Sequence, residues 1–168
     1  MKDGGPAPGQ CPLGDMQHRQ VRPAVERDLT AIAALDARTF PGLSYPYFTL
    51  RQLFDVHGRH MLVAADARGL YGYVLLAGDG NGRSWLLALA VDHTHRQQGH
   101  GRRLLDTVLN LADDREPCPT WVSVAPDNHP ALRLYQAAGF RLTEQYRDYF
   151  GPGQNRLVMV RKVPRRIE

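Results

Sequence analysis

Arg96-Gln97-Gln98-Gly99-His100-Gly101 follows an apolar run at 86–91 and a polar turn at 92–95, and it opens an amphipathic helix. A strand–turn–helix of this kind offers an anion several unpaired main-chain N–H groups. The first turn of a helix has four of them and carries partial positive charge. Glycines at 99 and 101 remove side chains that would hold a phosphate away from those donors. Arg96, Arg102 and Arg103 add full charge beside them. The chemistry this suits is the gripping of a diphosphate. A Walker loop requires Lys followed by Ser or Thr after its second glycine, where this chain has Arg102 and Arg103. A dinucleotide fingerprint requires a third glycine, which is missing.

A second group of residues lies about thirty positions on. Trp121-Val122-Ser123-Val124 reads as a short strand, and 128–140 as a helix with both boundaries marked. Asn128 or Asp127 can cap it, Pro130 suits its first turn, and Gly139 suits the left-handed residue past its end.

The two strings, R-x-x-G-x-G at 96–101 and N-x-x-A-x-x-L-Y-x-x-x-G-F at 128–140, occur in an order and at a spacing that resemble the GNAT superfamily of N-acetyltransferases. The resemblance implies acetyl-CoA as cosubstrate and a primary amine as acceptor. It implies that Arg96, Gln97, Gln98, Gly99, His100, Gly101 and Arg102 surround the diphosphate. The main chain of Leu89, Ala90 and Val91 would pair with the pantetheine arm and offer an N–H to the oxyanion, and Asn128 would touch the arm. Tyr135 stands at the superfamily's general-acid position. A phenol with a pKa of about 10 stays protonated at neutral pH and can donate to a departing thiolate, whose thiol has a pKa of about 8.5. The competing reading makes Tyr135 a packed aromatic on a helix face.

Within the superfamily, Phe40-Pro41, Ala90-Val91-Asp92 and Tyr149-Phe150 resemble the ribosomal-protein alanine N-acetyltransferase branch. That branch places a glutamate base where this chain has Ser123, and a late acidic pair where it has Gln154-Asn155. The strand at 85–91 carries no carboxylate either. A base would then be water relayed through Ser123 or a histidine. Deprotonating a lysine-like amine at pH 7 costs roughly 4.6 kcal/mol, against about 1 for an α-amine. A site without a strong base therefore suits α-amines, aromatic amines or small desolvated amines. Peptide N-termini and small-molecule amines both remain open, and the alternative is a CoA-binding regulatory module that has lost catalysis.

The elements that must position these residues alternate along the chain. Residues 17–22 read as a strand and 26–39 as an amphipathic helix with Leu29, Ile32, Ala33 and Phe40 near one face. The stretch 40–47 breaks that helix, and a second short helix runs to about Val56. Residues 61–65 and 70–76 form a hairpin around a turn at 66–69. A glycine-rich turn at 78–82 leads into the strand 84–91, and a helix from about Gly99 to Ala112 follows. Strands at 140–146 and 157–163 finish the chain. The order β-α-α-β-β-β-α-β-α-β-β matches the GNAT plan: an α/β (α+β) fold with a mixed sheet of about seven strands and about four helices.

With 168 residues, 43% of them hydrophobic, the chain has material for one core. Residues 1–16 read as a loose Gly/Pro-rich tail rather than a signal peptide, and 17–168 as a single GNAT domain. No apolar run reaches the ~20 residues that span a bilayer, so a cytoplasmic location is expected. Cys11 and Cys118 make no disulfide framework and are expected to be reduced. The net charge of +4 suits CoA. No nucleic-acid-binding module is present, and the basic end at 161–166 reads as solvated. His93, His95 and His100 read as surface residues of the cofactor loop rather than zinc ligands. His57 and His60 read as solvated loop residues or, less simply, as proton relays. Trp85 and Trp121 read as core. Tyr45, Tyr47, Phe48 and Phe54 divide evenly between an acceptor wall and core, and a homodimer is left open.

Overall fold

The computed structural model describes residues 20–115 and 117–163. The tail expected at 1–16 with its Cys11, and Arg165 and Arg166, lie outside them. Seven strands, β1 (Gln20–Pro23), β2 (Met61–Asp66), β3 (Gly69–Gly78), β4 (Ser84–Val91), β5 (Thr120–Val124), β6 (Arg141–Tyr146) and β7 (Arg156–Arg161), form one sheet in the order β1-β2-β3-β4-β5-β7-β6. Every neighbouring pair is antiparallel except β4 and β5, which are parallel. Four α-helices cover it: α1 (Leu29–Thr39), α2 (Tyr47–His57), α3 (His100–Arg115) and α4 (His129–Ala137).

Alternation along the strands sorts the core into two layers. Leu62, Ala64, Val74 and Leu76 pack with Leu104, Leu105 and Val108 of α3 and Tyr135 of α4. Met61, Val63, Tyr73 and Leu75, one position out of phase, pack with Leu29, Ile32 and Leu35 of α1 and Leu50 of α2. Because β2 and β3 are buried on both faces, they read in the sequence as nearly continuous apolar runs. Helix α3 lies close against β3. A Cβ at Gly72 would sit 2.9 Å from Leu104 Cδ1 and 3.3 Å from the Ala90 carbonyl oxygen, so only glycine fits there without a shift.

Several expectations are corrected. The first helix begins at Leu29 because 26–28 form a 3-10 turn, tied down by Asp28. The Asp28 carboxylate takes the Val25 N–H at 2.8 Å and Arg22 at 2.6 Å, and the Arg22 guanidinium holds its pKa below the usual range. Trp85 and Trp121 are half-buried rather than core; they pair across β4 and β5 with rings 6.3 Å apart, and Arg83 lies over Trp121. Arg161 is not a solvated end, since it is 9% exposed and bonded to Asp113 of α3 at 2.7 Å. Phe140 is fully buried ahead of β6, whose residues are all exposed at the sheet edge. Among the described residues no helix is long and apolar enough to cross a membrane.

Candidate active site

Strands β4 and β5 pair only at 84–86 and 120–122. There Ser84 Oγ and Thr120 Oγ1 lie 2.9 Å apart and close that end. Beyond it the strands part. β4 stays paired with β3 as far as Val91, and β5 with β7 as far as Val124, so each is held by its outer neighbour. The divergence coincides with a β-bulge. Leu75 pairs with Ala88 and Leu76 with Leu86, which makes Leu87 the extra residue. Facing edges at 87–91 and 123–124 therefore look into a gap at the carboxyl ends of two parallel strands, a usual place for a ligand. A cavity of about 930 Å³ occupies it, bordered by 86–89 of β4 and 122–125 of and after β5.

Past Val91 the chain makes the expected turn. Asp92 caps the 3-10 segment His93–His95, accepting from the Thr94 N–H at 3.1 Å and its hydroxyl at 2.8 Å. These bonds and Arg38 hold its pKa down to about 2. Arg96 Nε donates back to the Val91 carbonyl at 3.0 Å, and Gln98 Nε2 to the Thr94 carbonyl at 3.1 Å. Gln97 and Gly99 take left-handed φ values of 60° and 81°. The chain then enters α3, whose first helical bond runs from the Arg103 N–H to the Gly99 carbonyl. The N–H groups of Gly101 and Arg102 lie ahead of that first helical bond, where a helix offers its donors to an external acceptor.

Two sequence expectations about this loop change. Gly101 does not clear a path for a phosphate. A Cβ there would point inward, 3.6 Å from Leu134 and 3.8 Å from Val91. Nor are His95 and His100 surface residues: His95 stacks on Tyr71 at 4.4 Å, and His100, 7% exposed, packs against the same ring at 4.8 Å. They form a floor under the turn. Among the described residues no group of three or more His, Cys, Asp or Glu is placed to hold a metal ion. Arg102 is engaged with Asp106 at 2.7 Å.

Ser123, Leu89, Asn128 and Tyr135 all line the cavity. Asn128 caps α4, its Oδ1 accepting the Ala131 N–H at 3.2 Å, which leaves its amide donors for other partners. Tyr135 is 7% exposed, and its ring lies 5.7 Å from Phe140. Burial pushes its phenol well above the ordinary range, and its hydroxyl has no hydrogen-bond partner among the described residues. The side chain of Ala90 points into the other core layer, beside Tyr73, so any role in the gap falls to its main chain. The gap begins at Leu87, two residues ahead of the window at 89–91 that the sequence suggested.

The aromatic group divides. Tyr45 lines the cavity; Phe54 packs on the α1–α2 core; Tyr47 and Phe48 are exposed. Neither His57 nor His60 borders the cavity. Tyr45 is placed by a residue the sequence reading passed over. Asp36 of α1, fully buried, accepts the Tyr45 N–H at 2.6 Å and the Tyr73 hydroxyl, and Tyr45 Oη reaches the Leu87 carbonyl at 3.4 Å. Burial raises the Asp36 carboxyl above its usual range, against the opposing pull of those bonds. Its sequence signal was its spacing, four residues after Ile32 on the buried face of α1. Among the described lining residues the only carboxylate is Asp127, which is exposed.

The model of the acetyltransferase (GNAT) family matches residues 28–140. The [ribosomal protein bS18]-alanine N-acetyltransferase of Escherichia coli K12 is 32% identical over 65 residues, which is 39% of this chain and 44% of that protein. The match thus spans under half the length of that curated relative. An uncharacterised N-acetyltransferase of Methanocaldococcus jannaschii is 27% identical over 146 residues, covering 86% of this chain and 92% of that protein. The crystal structure of Ard1 from Thermoplasma volcanium superposes with a TM-score of 0.81 at 23% identity, over 88% of this chain and 99% of that one.

Proposed function

Because the chain belongs to the acetyltransferase (GNAT) family, we propose that it is an N-acetyltransferase that moves an acetyl group from acetyl-CoA to an α-amino group. The observation that carries this is the gap between β4 and β5. It joins the first turn of α3, whose Gly101 and Arg102 N–H groups lie ahead of the helical bonds, to a cavity bordered by the buried Tyr135 and, among the described lining residues, by no buried carboxylate. The residues fit the cosubstrate: 97–102 would take its diphosphate, and the unpaired edge at 87–91 would take its arm as an added strand. When bound, acetyl-CoA supplies the activated acetyl thioester.

The chain's own groups do the rest. The β4 edge orients main-chain N–H groups toward the oxygen that gains charge as the amine adds. Asn128 donates to the arm from the start of α4. Tyr135 holds its proton at neutral pH and delivers it to the departing sulfur. Ser123 orders a water that takes the proton of the amine. With no carboxylate base, an amine already partly neutral at pH 7 is favoured by about 3.5 kcal/mol over a lysine side chain. A cytoplasmic location accords with this chemistry.

A thiol-release assay with acetyl-CoA tests the proposal across peptides with free N-termini, the same peptides blocked at the N-terminus but carrying lysine, and small amines. Release with free α-amines at pH 7 to 8 is the expected result. Tight acetyl-CoA binding with no release from any amine would instead mark a binding module without catalysis.

A further inference from the structure

Arg156, the first residue of β7, lines the cavity yet is only 8% exposed. Its guanidinium is held on three sides. Nη1 donates to the Asn155 carbonyl at 2.6 Å, Nη2 donates to Gln154 Oε1 at 3.2 Å, and Cζ lies 4.8 Å from the Phe150 ring centroid. All three partners are neutral. Among the described residues none of the ion pairs includes Arg156. The one other charged residue on the cavity lining is the exposed Asp127.

A guanidinium withdrawn from water without a counter-ion is costly, and the cost is recovered when an anion reaches it. Two of its five N–H donors are committed to neutral oxygens, and the others have no acceptor among the described residues. A planar fork so held is suited to a carboxylate, which it can meet with two parallel bonds. Its position also matters. Val158 lies opposite Ser123 across β5 and β7, and Arg156 is two residues before Val158. Arg156 and Ser123 are therefore diagonal neighbours on one face of the sheet.

We propose that Arg156 is a specificity-determining residue that binds a carboxylate carried by the amine acceptor. This rests on the reading of the cavity as an acceptor site. The carboxylate is either an acidic side chain near a peptide's N-terminus or the α-carboxylate of a free amino acid.

The test compares acceptors that differ only in that charge: a peptide beginning with Glu against one beginning with Gln, and a free amino acid against its amide. Each is assayed for kcat and KM with the wild type, Arg156→Gln and Arg156→Lys. The wild type should favour the acidic member of at least one pair by about tenfold or more, mainly through KM. Arg156→Gln should erase that preference while keeping turnover of the neutral member, and Arg156→Lys should restore part of it. Whichever pair discriminates identifies the source of the carboxylate. Equal turnover of charged and neutral members by the wild type overturns the proposal. So does an Arg156→Gln variant that loses both members alike, because a purely structural role for the β7 start predicts that result. Calorimetric binding of the N-acetylated Glu and Gln peptides, and of an N-acetylated amino acid and its amide, separates this proposal from the reading beneath it. A preference for the acidic member of either pair that depends on Arg156, without acetyl transfer, would retain the carboxylate site and discard the activity. Absence of any preference in binding would discard the site.

Discussion

Tyr135 is packed against Phe140 within the core layer of α3 and α4 and still reaches the cavity. Its position accommodates either sequence reading, packed aromatic or proposed proton donor, and kinetics separates them. Replacing Tyr135 with Phe preserves the ring and its contacts. It should lower kcat by roughly 10²-fold while leaving acetyl-CoA binding unchanged. Turnover equal to wild type would reduce Tyr135 to packing. Its pH behaviour follows from burial, which raises the phenol's pKa. Activity should show no loss from tyrosine ionisation as pH rises through 10, and a pH–rate profile that falls there with a single ionisation assigned to Tyr135 would contradict this. Asp36 is the counterpart on the opposite layer. It touches no part of the cavity itself, but fixes Tyr45 beside the Leu87 bulge.

At the scale of elements, the turn from β4 into α3 makes two glycines behave differently. Gly99 sits at φ 81° with open space around its Cβ position, so alanine there is opposed by the backbone alone, by about 1–2 kcal/mol. Gly101 has ordinary φ, and an added methyl would make normal contacts with Leu134 and Val91. Gly99→Ala should weaken acetyl-CoA binding severalfold and lower the melting temperature, while Gly101→Ala should change neither appreciably. Calorimetry and thermal melts on the two variants would show it; equal losses in both would contradict the geometry of the turn.

Local signals explain why the element order could be read in advance. Asn128, Pro130 and Gly139 mark the ends of α4, and the turn at 66–69 between two apolar runs marks a hairpin. The start of α1 was misplaced by three residues because Asp28 and Arg22, six positions apart, tighten its entry into a 3-10 turn. The parting of β4 from β5 was not legible. It depends on pairing between strands thirty-six residues apart, Ser84 with Thr120, and no local pattern records where such pairing stops. Arg156 was hidden for a similar reason: the sequence reading leaves it just ahead of the strand at 157–163, and only the register with Ser123 brings it to the face that borders the cavity.

Across the whole molecule, acid stability is set by a few carboxylates. Asp28 and Asp92 have pKa values lowered in the fold, Asp92 to about 2. Their stabilising effect is full above the unfolded value near 3.9 and is lost as pH falls through the folded values. Asp36 acts with the opposite sign. Its raised pKa means that stability is greatest with the carboxyl protonated and declines as pH rises past the unfolded value. Asp92→Asn should therefore flatten the loss of stability between about pH 4 and 2 in chemical denaturation. An unchanged slope in that window would show that Asp92 is not held as described.

The same whole-molecule view gives the most direct test of the central claim, that the gap between β4 and β5 and the first turn of α3 together hold acetyl-CoA. Amide hydrogen exchange measured with and without acetyl-CoA reads both surfaces at once. The account predicts slower exchange on binding at two places, the β4 edge at 87–91 and the N–H groups at 99–102, with the paired segment at 84–86 unaffected. Saturating acetyl-CoA that leaves both segments exchanging at their free rates would contradict it.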